Sequence, residues 1–320
     1  MSKLGFLNFL KKKKKMEKKS GKKPIEPLVA APAKTHSKVK EDPATPPPPT
    51  KAPAVKKIEF LPTRVSNFDS LIDKGGVERG NTLLVAGGCG TGKSTFTMQS
   101  LYHGVKNGEK GVYLSFEEPV GKLRRHMKSN FGWELKKYED NGQLALLKLD
   151  PFKIARGVEA SVIKKSGDLL VSMESIDLPF MPDRVVVDSL SALSIAFMGN
   201  VENYRYYIRH LFEKLDEYKS VNFVISETEL DPGIYSRSGI EEFLADGVIV
   251  LYNLKSGSKR QRALELLKLR CSDHLKGMIP YSITKTGITI EKRGGAFNEV
   301  LAKSRSKRHY SSKTVPSEFT

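Results

Sequence analysis

The sequence predicts an α/β fold with a mainly parallel central sheet, helices flanking it, and an antiparallel C-terminal edge. Three observations predict it. Short apolar runs alternate with stretches of helical spacing, the pattern that builds parallel sheets. One run passes directly into a glycine-rich loop and a helix start, as TLLVAGGCGTGKST at Thr82–Thr95. The runs Val248–Leu254 and Leu264–Leu269 are separated only by a basic turn, Lys255–Arg262, so they pair antiparallel at the sheet edge. With 320 residues and 39% hydrophobic content, the chain can bury a substantial core, as one large domain or two small ones.

The N-terminal residues 1–57 hold sixteen lysines against four acids, including KKKKK at 11–15, with PPPP at 46–49. Such a composition cannot bury enough apolar surface to fold, so it predicts a disordered tail. Leu4, Phe6, Leu7, Phe9 and Leu10 precede the lysine run. Three readings stay open: a solvated tail, a peripheral anchor on an anionic membrane surface, or loose contact with nucleic acid. The five apolar residues do not share one narrow helical face, which weakens the anchor. Residues 294–320 read as a second, basic and flexible tail, with five bases against one acid from 302 onward. The net charge of +18 therefore belongs to the tails, and the domain expected at 58–293 is close to neutral.

Within that domain, Phe68–Ile72 and Gly75–Gly80 read as a short helix and a tight turn ahead of the first core strand. After the loop, Phe96, Met98, Leu101, Tyr102 and Val105 give helical spacing. Gly111–Phe116 is a second strand, and Pro119–Asn130 a helix with Leu123 and Met127 one turn apart. Phe131–Leu135 reads as a turn and short helix, Gln143–Leu149 as a strand, and 153–175 as helical. Arg184–Asp188 is a strand, Val201–Lys219 a helix, and Val221–Ser226 a strand.

The chemistry concentrates where these strands end. Gly87-Gly88-Cys89-Gly90-Thr91-Gly92-Lys93-Ser94 is a complete phosphate-binding loop, with Thr95 beside it. Its glycines let backbone N–H groups wrap phosphate oxygens, and the following helix adds its positive end. Lys93 is expected at the β- and γ-phosphates, and Ser94 at a Mg²⁺ ion. Glu117 and Glu118 close the next strand, on the edge where parallel α/β sheets bind ligands. One would polarise the water that attacks the γ-phosphate, and the other would tune it or assist the metal. Asp188 ends a buried strand and is the second metal residue, acting through the ion's water shell. Ser226-Glu227-Thr228 offers a polar group that either senses the γ-phosphate or simply caps the strand.

These motifs resemble the KaiC domain of the RecA-like ATPases. The resemblance runs in order from Phe68-Asp69 and Gly75–Gly80 through the phosphate loop, Ser115-Phe116-Glu117-Glu118 and Phe131–Leu135. It continues through Gly239–Phe243, Asp246–Ile249, Arg262–Glu265, Lys268–Arg270 and Pro280–Ile283. It covers about 58–292 and one domain only, whereas the clock protein carries two, and the single-domain type is typical of archaea. The resemblance implies a RecA-like P-loop fold, ATP and Mg²⁺ as cofactors, and a homo-oligomeric ring, usually a hexamer, with ATP between subunits. It implies that Lys93, Ser94, Thr95, Glu117, Glu118 and Asp188 act in cis. It also implies that Lys268, Arg270 and His274 reach the neighbour's nucleotide. The family usually has glycine where Cys271 stands, so that loop is expected to be less flexible. Glu241-Glu242 occupy the stretch where some members autophosphorylate on Ser or Thr, which favours plain hydrolysis over autokinase activity.

The function expected is a slow regulatory ATPase. Two alternatives compete. A DNA recombination accessory ATPase would need bases and stacking aromatics in the loops Ala192–Tyr204 and Glu229–Ile240, where Arg237 is the sole base. A nucleotide-gated scaffold resembling the ATPase-like component of the archaeal swimming motor is suggested by Asp188-Ser189-Leu190-Ser191. Glu117-Glu118 and Lys268-x-Arg270 favour turnover instead. No stretch reaches 18 apolar residues, no standard signal peptide is present, and Cys89 and Cys271 are far apart. A cytoplasmic location is expected, peripheral at a membrane if the N-terminal tail anchors. The protein partner is not legible.

Overall fold

Apolar runs of four or five residues, bounded by polar ones, become strands buried on both faces. In the computed structural model residues 58–163, 178–228, 235–236, 238–256 and 258–291 are described. The expected tails 1–57 and 294–320, Lys164–Gly167, Arg237 and Glu229 to Ile234 lie outside the described residues.

A small ribbon of β1 (Phe60–Leu61) and β2 (Val77–Glu78) flanks a 3-10 turn at Asp69–Leu71. β3 (Thr82–Gly87) leads into α1 (Lys93–Lys106). Next come β4 (Gly111–Ser115), α2 (Val120–Phe131), α3 (Leu135–Asp140), β5 (Leu144–Lys148) and α4 (Pro151–Ile163). β6 (Arg184–Asp188) is followed by α5 (Leu190–Ala196) and α6 (Val201–Glu217). β7 (Val221–Glu227) precedes the single turn α7 (Glu241–Leu244). β8 (Gly247–Ser256), β9 (Lys259–Leu269), β10 (Ile279–Thr284) and β11 (Gly287–Ile290) complete the set.

The main sheet has the order β11-β10-β9-β8-β3-β7-β6-β4-β5. From β8 to β5 every neighbouring pair is parallel, while β8 to β11 pair antiparallel. Alternation along β3 feeds two core layers: Leu83 and Val85 pack on one face, Leu84 and Ala86 on the other. The parallel strands thus end together on one edge, and that edge carries the site.

Three expectations are corrected. The basic segment Lys255–Arg262 is mostly strand: β8 and β9 stay in register out to Ser256↔Lys259. The antiparallel edge also holds two more strands, because Ile279, Tyr281, Ile288 and Ile290 alternate into the core. The loop expected at Ala192–Tyr204 is largely helical. Ser189 caps α5 by accepting from the Ala192 N–H, Asn200 caps α6, and Leu193, Phe197 and Tyr204 bury their side chains.

Arg184, at the start of β6, is fully buried. It pairs with Glu109 and donates to Ser100 Oγ at 3.0 Å and to the Pro62 carbonyl at 2.6 Å. Arg64 binds the other Glu109 oxygen at 2.8 Å. Burial alone would raise the Glu109 pKa, but the two arginines outweigh it and hold the carboxyl below its ordinary 4.5. Removing Arg184 leaves a half-buried carboxylate with only Arg64 as its ion-pair partner among the described residues. Arg184→Ala is expected to lower unfolding stability by about 3–5 kcal/mol in urea titration. The Glu109 contribution is complete above pH 4.5 and disappears as pH falls through its lowered folded value. Glu109→Gln should therefore flatten the acid limb of the stability profile.

Candidate nucleotide site

The site begins where β3 runs out. Gly87 is the last residue paired to β7 and β8, and a Cβ there would meet the Leu251 carbonyl oxygen at 2.4 Å. Gly92, just before α1, has φ +93°, in the left-handed region that glycine enters at least cost. Thr91 ties the loop together by donating to the Gly88 carbonyl at 2.9 Å, and Tyr281 of β10 donates to the Thr91 carbonyl. The loop is thereby held from within and from the antiparallel edge.

A cavity of about 270 Å³ opens above it, lined by Cys89, Gly90, Gly92–Thr95, Glu117, Asp188, Ser189, Ile225 and Glu227. Gly87, Gly88 and Thr91 shape the loop from behind this lining. Lys93 is buried and donates to the Gly88 carbonyl at 3.1 Å. Burial lowers its pKa, against the pull of Glu227, Asp188, Cys89 and Glu117. An arriving polyphosphate would favour the charged form, so the lysine is matched to an anionic ligand.

Ser94 Oγ donates to Asp188 Oδ2 at 2.8 Å, and the Tyr113 hydroxyl donates to the same oxygen. Burial raises the Asp188 pKa; the Tyr113 and Ser94 bonds oppose this, and Glu117 adds to it. Ser189 Oγ donates to Glu117 Oε1 and fixes that carboxylate inside the cavity. Hydroxyl and carboxylate oxygens crowded beside a phosphate loop are a hard donor set, and they fit Mg²⁺.

The paired glutamates separate. Glu118 is turned away from the cavity, 3.1 Å from His126 Nδ1 and 3.5 Å from Lys122 Nζ. Lys268, Arg270 and His274 are also absent from the lining. Lys268 donates to the Ala245 carbonyl at 2.6 Å, and Arg270 meets Asp246 Oδ1 at 3.0 Å. His274 bridges to Ile72. β9 ends beside Gly247, which pairs with Leu83 at the start of β3. Lys268 and Arg270 therefore sit at the opposite strand edge, at least roughly 13 Å from the phosphate loop along β3.

Sequence reasoning named only part of the site. Tyr113 and Ser189 carry no local signal; they matter because β4 and β6 align Ser115 with Asp188. At the end of β7 it is Glu227 that faces the cavity, while Ser226 Oγ is buried with no hydrogen-bond partner among the described residues. Cys271 has φ +64°. A side chain there pays a steric penalty that glycine avoids. Cys271→Gly should leave the melting temperature unchanged or raise stability by up to about 1 kcal/mol.

Residues 61–295 match the family model "ATPase: KaiC". The circadian clock oscillator protein KaiC of Parathermosynechococcus lividus is 33% identical over 270 residues, covering 81% of this chain and 48% of that protein. KaiC3 of Synechocystis is 34% identical over 234 residues, covering 73% of this chain and 46% of its own. The chain spans about half the length of the curated relatives it matches. A crystal structure of a KaiC-like protein from the archaeon Pyrococcus horikoshii superposes with a TM-score of 0.60 at 30% identity, covering 74% of this chain and all of that one.

Proposed function

The chain belongs to the KaiC family of ATPases, and on that premise we propose that residues 58–293 form an ATPase domain that hydrolyses ATP slowly, as a ring with nucleotide between subunits. The observation that carries this reading is the convergence of Lys93, Ser94, Glu117 and Asp188 on one cavity at the phosphate loop.

ATP is the substrate. Loop N–H groups and Lys93 would hold its phosphates, and Ser94 with Asp188 would hold the magnesium. The ion, when bound, supplies positive charge to the phosphate oxygens. Tyr113 keeps the Asp188 carboxylate oriented toward Ser94. Ser189 holds Glu117 where it accepts a proton from an attacking water. Lys268, Arg270 and His274 face the neighbour in a head-to-tail ring, where added cations stabilise the transferring phosphoryl group. Plain hydrolysis is favoured over autophosphorylation, because Glu241 is buried against the Tyr204 hydroxyl at 2.6 Å. The helical course of Ala192–Ala196 and Val201–Tyr204 shortens the segment available as a strand-binding pore loop, which disfavours a recombinase role. Among the described residues no helix is long and apolar enough to cross a membrane.

The test is ATP turnover by the purified full chain, with mass measured in the presence and absence of Mg·ATP. Slow hydrolysis with an ATP-dependent oligomer supports the reading. Tight ATP binding without turnover overturns it and makes the nucleotide a structural gate for assembly.

A further inference from the structure

β8 runs past its last pair with β3, Leu251↔Gly87, through Tyr252–Ser256, roughly 17 Å of further strand at about 3.4 Å per residue. Among the described residues only β9 accompanies it, because β10 touches β9 no further out than Ala263. A two-stranded ribbon therefore projects from the edge that carries the phosphate loop. One of its faces is anchored: Tyr252 and Leu254 are buried and pack with Tyr235 and Met278.

The other face is basic. Lys255 lies directly opposite Arg260, and Asn253 opposite Arg262, so three cations share that face; Lys259 stands at the tip. Lys255, Lys259 and Arg260 are exposed. Among the described residues none of the four makes an ion pair; Arg260 only donates to the Asn253 carbonyl at 3.2 Å. The Arg262 Nε is buried and has no hydrogen-bond partner among the described residues. Like charges directly opposite across a ladder are destabilising, so an anion bound over Lys255 and Arg260 would relieve that pair. The patch is local, since residues 58–301 carry a net charge of only +2.

We propose that this hairpin binds the phosphate backbone of duplex nucleic acid. A two-stranded ribbon fits the width of a major groove, and its cations then meet phosphates on the walls. The face bears no exposed aromatic residue on which single-stranded bases would stack. It also bears no exposed large apolar side chain for insertion into a lipid surface. The residues between Lys255 and Lys259 in the sequence are all small, Ser-Gly-Ser.

The experiment compares the full chain with a K255Q/K259Q/R260Q variant. Binding to a fluorescein-labelled duplex is followed by anisotropy between about 50 and 200 mM salt. The variant is expected to bind at least about tenfold more weakly, with the slope of log affinity on log salt reduced by about 2–3. Wild-type affinity and slope in the variant overturn the proposal and leave all binding to the basic tails. A loss confined to phosphatidylserine vesicles overturns it in favour of a lipid surface. Competition by polyglutamate as strong as by duplex, at equal charge, overturns it in favour of an acidic polypeptide. The variant's melting temperature should hold or rise, because the opposed cations are gone; if it falls, the single R260Q variant is read instead, against the same outcomes.

Discussion

Glu117→Gln is expected to lower ATP turnover by about 10²–10⁴ while leaving ATP affinity within a few-fold, the range for losing a positioned general base. Glu118→Gln is expected to change turnover by less than about fivefold, since a surface ion pair contributes at most about 1 kcal/mol. The two side chains are adjacent in sequence and differ in where they point. Glu117 lines the cavity, held by Ser189, while Glu118 faces Lys122 and His126 on α2. Glutamine keeps the shape of Glu117 and still accepts the Ser189 hydrogen bond, so the cavity survives and only the proton acceptor is lost. Single-turnover hydrolysis, with nucleotide binding measured in parallel, checks both variants. Equal losses from the two would show that Glu118 swings inward when ATP is bound, and the division of roles would fail.

That division marks how far the sequence could be read. The phosphate loop was legible because its chemistry is local: eight consecutive residues fix the turn, the lysine and the hydroxyl. Asp188 and the acidic pair were legible because parallel strands deliver their last residues to one edge. Which of two adjacent carboxylates enters the cavity depends on where α2 begins, and the clue was the spacing of Glu118 and Lys122, one helical turn apart. The Tyr113 bond to Asp188 had no local signal at all. It exists because β4 and β6 are neighbours in the sheet although α2, α3, β5 and α4 separate them in the chain. Strands β10 and β11 were missed as strands, although Ile279, Tyr281, Ile288 and Ile290 fall on alternating positions. Their role is to hold the loop: Tyr281 grips Thr91, and Gln99 of α1 donates to the Ile288 carbonyl at 3.0 Å.

If it acts as an arginine finger as proposed, Arg270→Ala is expected to remove most turnover, by about 10³-fold or more, without weakening ATP binding to a comparable degree. The reason is geometric. Arg270 lies at the strand edge opposite its own phosphate loop and meets Asp246. No side-chain rotation carries a guanidinium across the sheet to the other end of β3. Any action on ATP must then be on a neighbour's, with Lys268 beside it. Mixing makes the claim decisive. Glu117→Gln subunits keep Arg270, and Arg270→Ala subunits keep Glu117, so each is inactive alone. In a ring of both, some interfaces join an intact Arg270 to an intact Glu117. An equal mixture should recover about a quarter of wild-type turnover, the fraction of complete interfaces under random head-to-tail assembly. A mixture as inactive as its parents, with ring formation confirmed by mass, would place both residues in one subunit's chemistry and remove the shared site. Recovery would show that the catalytic unit is the interface, with the cation edge of one sheet completing the carboxylate edge of the next.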